Sequence, residues 1–329
     1  MIVALDAMGG DRAPAEIVAG AVLARKEHGI EVALVGPREI VETELRRSGG
    51  PVAGIQIVHA GEAIAMDEQP AQAVRTKRDS SINVGMGMVK NGIAGAFVSA
   101  GNTGAVMASA LMTLGRIPGI ERPALGTIAP FSDAGILVID VGANADVKPS
   151  YMVQFAQMGA IYAERVMGIR NPRIALLNIG EEDTKGSDLA KEVYGRLQNA
   201  GLNFVGNIEG GEVHRNRADV VVTDGFTGNV AVKVTEGVAD FIFRELRAAI
   251  NSKLRYRLAA LVLRPALLGM RERLDPGTYG GAPLLGVNGV VTITHGSSDA
   301  RAIKNALRLA AEGASSGMVD HIRSALGRR

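Results

Sequence analysis

The chain has 329 residues, 36 basic and 34 acidic side chains, 47% hydrophobic and 4% aromatic content, and neither Cys nor Trp. Without cysteine there is no disulfide, thiolate metal site, iron–sulfur cluster or cysteine nucleophile. A net charge of +2 and so few rings argue against a nucleic-acid surface, and a core poor in aromatics has to be built from Ala, Val, Ile and Leu, as in a parallel sheet covered by helices.

Met1–Asp6 reads MIVALD and lacks the basic and apolar regions of an export signal. No apolar run reaches the ~18 residues that cross a bilayer. A cytoplasmic protein is expected. Apolar runs at Ile2–Leu5, Val32–Val35, Ile55–Val58, Ala94–Val98, Ile136–Ile139, Ile174–Leu177, Val220–Val222 and Val290–Ile293 read as strands. Helical stretches lie between most of them, at Ala15–Lys26, Ala105–Leu114, Met152–Met167, Asp188–Leu197, Ala231–Ile250 and Asp299–Ala311. This alternation predicts βαβ units, a mostly parallel sheet and one α/β domain over residues 1–329. One stretch departs from it. Lys253–Leu274 is rich in Leu and carries Lys253, Arg255, Arg257, Arg264, Arg271 and Arg273 against Glu272. Pro265 divides it into two short amphipathic helices or a helical hairpin. A dimer contact or a cap on the core is one reading; a surface for anionic lipid or an acidic protein is another.

In parallel sheets ligands bind beyond the carboxyl ends of the strands. Those positions are rich in Gly, Asn, Asp and Ser: Asp6-Ala-Met-Gly-Gly-Asp11, Ser99-Ala-Gly-Asn-Thr-Gly104, Asp140-Val-Gly-Ala-Asn144, Asn178-Ile-Gly-Glu-Glu182 with Lys185-Gly186, Asp224-Gly-Phe-Thr-Gly-Asn229 and His295-Gly-Ser-Ser298. Glycine admits a ligand to the backbone N–H groups, and a helix N-terminus favours an anion. The Ser99–Gly104 turn therefore reads as a phosphate cradle, and the strand ends are expected to share one edge. No G-x-G-x-x-G follows a strand. Lys185-Gly186 is in the wrong order for a P-loop, the five His show no metal-ligand spacing, and no G-x-S-x-G occurs. From these residues the chain is an α/β enzyme with an anion-binding cleft.

Together with Gly206-Asn-Ile-Glu-Gly210 and Tyr279-Gly-Gly-Ala-Pro283, these motifs resemble, in order and from residue 1 to about 312, the bacterial phosphate acyltransferases of phospholipid synthesis (the PlsX type). The resemblance implies a three-layer α/β/α sandwich of the isocitrate-dehydrogenase-like and phosphotransacetylase-like kind. It implies transfer of a fatty acyl group from acyl-[acyl-carrier-protein] to inorganic phosphate, and use of the acyl phosphate by a membrane glycerol-3-phosphate acyltransferase. It also implies a homodimer attached peripherally to the membrane. Phosphate is the nucleophile and has to be held and aimed; the carbonyl oxygen needs donors. Lys185 and Asn229 are the central pair expected for this, with Lys185 on phosphate or on the oxyanion. The backbone at Gly9, Gly10, Gly101, Asn102, Thr103 and Gly104 is expected to hold phosphate, with Asn144. His295 is read either as a proton relay or as a buried structural residue. Arg75, Lys77 and Arg78 are read as attracting phosphate or carrier, or as a solvated helix face. Arg255, Arg257, Arg264, Leu261 and Leu267 are expected to meet the carrier protein or the membrane. No metal, cofactor or nucleic acid is expected. Three rivals stand beside this reading: a metal-dependent hydride-transfer enzyme using Asp6, Asp11, Asp140 and Asp224, a phosphotransacylase acting on short coenzyme A thioesters, and a membrane-bound scaffold without catalysis.

Overall fold

A computed structural model describes residues 1–132, 134–274 and 276–327; the side chains of 271–276 lie outside the described set. The strands are β1 (Ile2–Asp6), β2 (Glu31–Gly36), β3 (Ile55–His59), β4 (Ala96–Ser99), β5 (Ala124–Ala129), β6 (Ile136–Ile139), β7 (Ile174–Asn178), β8 (Phe204–Glu209), β9 (Val220–Val222), β10 (Ala282–Leu285) and β11 (Val290–Ile293). All eight expected strands form. β5, β8 and β10 were not expected, because Gly126, Gly206 with Asn207, and Pro283 interrupt the β-branched pattern that marks a strand.

Residues alternate across the sheet. Val3, Leu5, Leu137 and Ile139 enter one core layer, and Ala4, Ile136 and Val138 the other. The first layer is covered by α1 (Ala15–His28), α2 (Arg38–Arg47), α6 (Pro149–Arg165), α7 (Asp188–Gln198), α10 (Ala300–Ser315) and α11 (Met318–Leu326). The second is covered by α3 (Pro70–Thr76), α4 (Ser81–Lys90) and α5 (Thr103–Thr113), with the start of α8 (Gly225–Asn251). This is the three-layer α/β/α sandwich that the motifs imply.

The strand order is β3-β2-β1-β4-β11-β10-β5-β6-β9-β7-β8. β10 runs antiparallel to both β11 and β5, and β5 runs antiparallel to β6. Everything from β6 to β8 therefore runs opposite to β1, β2, β3, β4 and β11. This corrects the expectation of a single edge: the carboxyl ends of β1, β4 and β11 open on one edge, and those of β6, β9 and β7 on the other.

The Leu/Arg stretch is also corrected. α9 (Leu254–Leu274) is one helix that continues through Pro265. The proline frees the carbonyl of Leu261, but both residues are exposed, so water can take the freed bond. The hairpin is made instead by α8 packing on α9. α8 buries only Gly225 and Gly228. Beyond them, Val230, Val234, Val238, Phe241 and Ile242 are exposed at helical spacing, and α9 exposes Leu254, Leu258, Leu261, Val262 and Leu263. No described helix is long and apolar enough to cross a membrane.

Candidate active site

The edge that carries β1, β4 and β11 is built around Asp6, which is 1% exposed. Its Oδ1 accepts the Met8 N–H at 3.0 Å and its Oδ2 the Ser99 hydroxyl at 2.7 Å, while Ser99 Oγ accepts the Gly101 N–H at 3.0 Å. Burial pushes the Asp6 carboxyl above its ordinary range, against hydrogen bonds from Ser81, Ser99, Met8 and Gly9 that pull it down. The two glycine turns pack backbone to backbone. A Cβ on Gly9 would lie 2.6 Å from the Gly101 nitrogen and collide with the Asp6 carboxylate. The Asp11 N–H donates to Gly296 O at 2.8 Å, and the Thr294 N–H to Ser99 O at 2.9 Å. Gly9, Gly10, Gly101, Asn102, Thr103, Gly104 and His295 thus come together as one cradle. The Asn102 side chain is fully used. Its Oδ1 caps α5 through the Ala105 N–H at 3.1 Å, and its amide donates to the carbonyls of Ala65, Met66 and Glu68. Thr103 beside it is exposed. His295 is exposed, with Nδ1 2.7 Å from Ser297 Oγ, which overturns the reading of a buried structural histidine.

The opposite edge is built around Asp140, which is fully buried. Its Oδ1 accepts the N–H groups of Leu125, Gly142 and Ala143 at 3.1, 3.2 and 3.0 Å, and its Oδ2 the N–H and side-chain amide of Asn144 at 2.8 and 2.9 Å. Burial raises this carboxyl too, against those same bonds. Asn144 Nδ2 also donates to Pro123 O at 2.8 Å, and Asn144 O accepts the Gly225 N–H at 2.8 Å. Asp224 caps α8 through the Thr227 N–H at 2.8 Å. α8 lies so close to β6 that a Cβ on Gly228 would overlap the Asp140 carbonyl. Asn229, in the first turn of α8, donates from Nδ2 to Val141 O at 3.2 Å. The turn after β7 is clamped from both sides. Asn178 Nδ2 donates to Lys185 O at 3.1 Å, and Asn207 Nδ2 to Glu182 O at 2.8 Å, the carbonyl that also accepts the Lys185 N–H. Lys185 is exposed, and no carboxylate pairs with it among the described residues. Arg217 binds both Glu181 and Glu212 and pins this turn to the segment before β9.

Lys185, Asn229 and Asn144 therefore share one edge, and the glycine cradle with His295 holds the other. β4 and β9 are five strands apart, about 24 Å along the sheet, so no single phosphate touches both sets in one chain. The four aspartates of the hydride-transfer rival are likewise split between the edges, and among the described residues no three His, Cys, Asp or Glu are grouped to hold a metal ion. Lys77 is engaged by Glu68 at 2.7 Å, while Arg75 and Arg78 are exposed. Arg255, Arg257, Arg264 and Leu261 are exposed on α9, and Leu267 is half-buried. Asp6, Asp140, Asn178 and Asn207 build the two edges; the sequence reading gave Asp6 and Asp140 a role only in the metal-dependent rival and gave Asn178 and Asn207 none. Their signal was position, a polar side chain within or at the end of an apolar strand.

A model of the family described as "Fatty acid synthesis protein" matches residues 1–321. A phosphate acyltransferase of Heliobacterium modesticaldum is 54% identical over 314 residues, 95% of this chain and 94% of that protein. A phosphate acyltransferase of Desulfitobacterium hafniense is 50% identical over 329 residues, 100% of this chain and 98% of that protein. Among solved structures, a phosphotransacetylase from Staphylococcus aureus superposes with a TM-score of 0.64 at 16% identity, over 95% of this chain and 94% of that one. At that identity the likeness is one of fold.

Proposed function

This chain belongs to the phosphate acyltransferase family, and we propose that it moves a long-chain fatty acyl group from acyl-[acyl-carrier-protein] to inorganic phosphate, giving an acyl phosphate for phospholipid synthesis. The observation that supports the reading is the end-to-end relationship to proteins named phosphate acyltransferases. A phosphate oxygen attacks the thioester carbonyl carbon, a C–O bond forms, the C–S bond breaks, and the carrier leaves as its thiol after taking a proton. Thiolate is a good leaving group, so the main demands on the protein are aim and charge. Lys185 supplies the positive charge on phosphate or on the carbonyl oxygen. Asn229 supplies an amide donor whose carbonyl partner, Val141, belongs to the turn that Asp140 braces. The glycine cradle holds phosphate, with His295 at its rim.

The two edges have to meet for this chemistry. The chain acts as a homodimer in which the cradle of one protomer faces the Lys185 edge of its partner, and Asn144 stands beside the incoming phosphate. The exposed apolar and basic faces of α8 and α9 rest on the membrane surface and on the acidic carrier, with Arg255, Arg257, Arg264, Leu261 and Leu267 in contact. The product, with its apolar tail, passes there to a membrane glycerol-3-phosphate acyltransferase. The enzyme is cytoplasmic and peripherally bound.

The test is thiol release from palmitoyl-[acyl-carrier-protein], with and without phosphate. Release that needs phosphate, with a product trapped by hydroxylamine as the hydroxamate, is the expected result. Release without phosphate would make the protein a thioesterase and refute the reading. Release from acetyl- or butyryl-coenzyme A in preference to the carrier would assign the donor to the short-chain class.

A further inference from the structure

We infer that a cavity beside Asn144 is the seat of a phosphate group, the phosphodiester of the pantetheine-type arm that carries the acyl thioester; the inference builds on the acyl-transfer reading above. The cavity has a volume of about 380 Å³ and is lined by Leu111, Arg116, Glu121, Arg122, Pro123 and Tyr151. It lies between the last turn of α5, the start of β5 and the first turn of α6. That is the size of a small-ligand site and larger than a bare ion needs.

Its chemistry is that of an anion site. The Arg122 guanidinium carbon stands 6.0 Å from the Tyr151 ring centroid, and the Lys148 ammonium stands 5.9 Å from the same ring. Arg116 donates to the Glu121 carbonyl, which fixes its guanidinium at the rim. Two arginines thus line the opening against one carboxylate, Glu121, and Lys148 stands over the same Tyr151 ring. No acidic side chain pairs with Arg116, Arg122 or Lys148 among the described residues. A guanidinium such as that of Arg122, held beside an aromatic ring without a carboxylate partner among the described residues, suits a phosphate ester, which accepts its forked N–H donors.

Position singles out the donor arm. The cavity wall and the proposed reaction edge are one hydrogen bond apart, since Pro123 O accepts the Asn144 amide at 2.8 Å. From β5 the order runs β6, β9, β7, so the Lys185 turn lies three strands away, about 14 Å. About thirteen bonds separate phosphorus from sulfur in a pantetheine arm, a reach of ~15 Å when extended. A phosphodiester seated at Arg122 therefore places its thioester between Asn229 and Lys185. The same chemistry would accept free inorganic phosphate, and the experiment separates the two sources.

Two measurements on wild type, Arg122→Ala and Arg122→Lys decide it. Equilibrium binding of 4′-phosphopantetheine against pantetheine needs no turnover. The phosphorylated arm should bind wild type about tenfold tighter or more, the worth of a charge-assisted hydrogen bond, lose that margin in Arg122→Ala and keep part of it in Arg122→Lys. In the transfer assay Arg122→Ala should raise KM for palmitoyl-[acyl-carrier-protein] by a similar factor, with the phosphate KM and turnover of palmitoyl-pantetheine unchanged. A rise confined to the phosphate KM would make free phosphate the occupant and overturn the assignment to the arm. Equal binding of the two arms by wild type, with both KM values unmoved in Arg122→Ala, would overturn the seat altogether. If wild type shows the binding margin but no phosphate-dependent release, the acyl-transfer reading fails while the seat stands.

Discussion

Replacing Asp140 by Asn tests whether a buried carboxylate organises the Lys185 edge. The carboxylate accepts five hydrogen bonds, three on Oδ1 and two on Oδ2. An amide keeps one oxygen and turns the other into a donor. In the better orientation the new NH₂ faces the two Asn144 donors, leaving both unmet at about 1–3 kcal/mol each, or about 2–6 kcal/mol in all. Relief from burying a charge offsets part of this, because burial is what raises the carboxyl. A loss of about 2 kcal/mol or more in urea unfolding is expected, with an unchanged m-value. Turnover should fall about tenfold or more, since Asn144, Gly225 and Pro123 are aligned through this turn. An unfolding midpoint and a turnover both equal to wild type would refute the reasoning.

Lys185→Ala should lose most turnover, and its unfolding free energy should stay within ~0.5 kcal/mol of wild type because the side chain is exposed and has no carboxylate partner among the described residues. Thr103→Glu places a carboxylate in the cradle at a helix start that tolerates it, and should also be inactive though folded. Co-expressed in equal amounts, the two variants should regain about a quarter of wild-type turnover, since half of random dimers are mixed and one of their two sites is intact; no recovery would place each site within one chain. For Asp6, whose carboxyl is raised above 3.8, the stabilising share is complete below that value and is lost as pH rises through the native value. The stability of wild type minus that of Asp6→Asn should therefore shrink as pH rises above the ordinary carboxylate range, and a difference that grows would refute the assignment. Leu261→Glu on α9 should weaken cosedimentation with anionic vesicles; equal sedimentation would remove α9 from the membrane surface.

The fold class was legible because eight apolar runs are long and β-branched enough to stand out, and because the helices between them carry an apolar face. β10 escaped notice as Ala-Pro-Leu-Leu behind two glycines, and β5 because Gly126 breaks its run. Those two strands decide the geometry of the site. Both pair antiparallel to a neighbour, and β6, β9, β7 and β8 run against β1 to β5 and β11. Local pattern records that Asp6, Ser99, Asp140 and Asn178 end strands; it does not record which way each strand points. Lys185 and Asn229 were legible as candidates from the turns that hold them. Their separation from the glycine cradle was not, because direction is fixed by pairing between strands far apart in sequence.

The same reversal explains why this chain carries two buried carboxylates with one task. Asp6 and Asp140 each sit at the end of a strand, each is raised by burial, and each bends a glycine turn around its oxygens by collecting backbone N–H groups. A buried carboxylate is costly unless it is saturated with donors. Here most of the donors come from the turns themselves, so the carboxyl shapes the loop around it. Mobile charge in the proposed reaction comes from exposed Lys185, whose turn is clamped by Asn178 and Asn207 at backbone carbonyls. In the proposed reaction, rigid backbone cradles and a free cation divide the work. That proposed division requires two edges, and in this sheet β6, β9, β7 and β8 run opposite to β1, β4 and β11, so their carboxyl ends open on different edges.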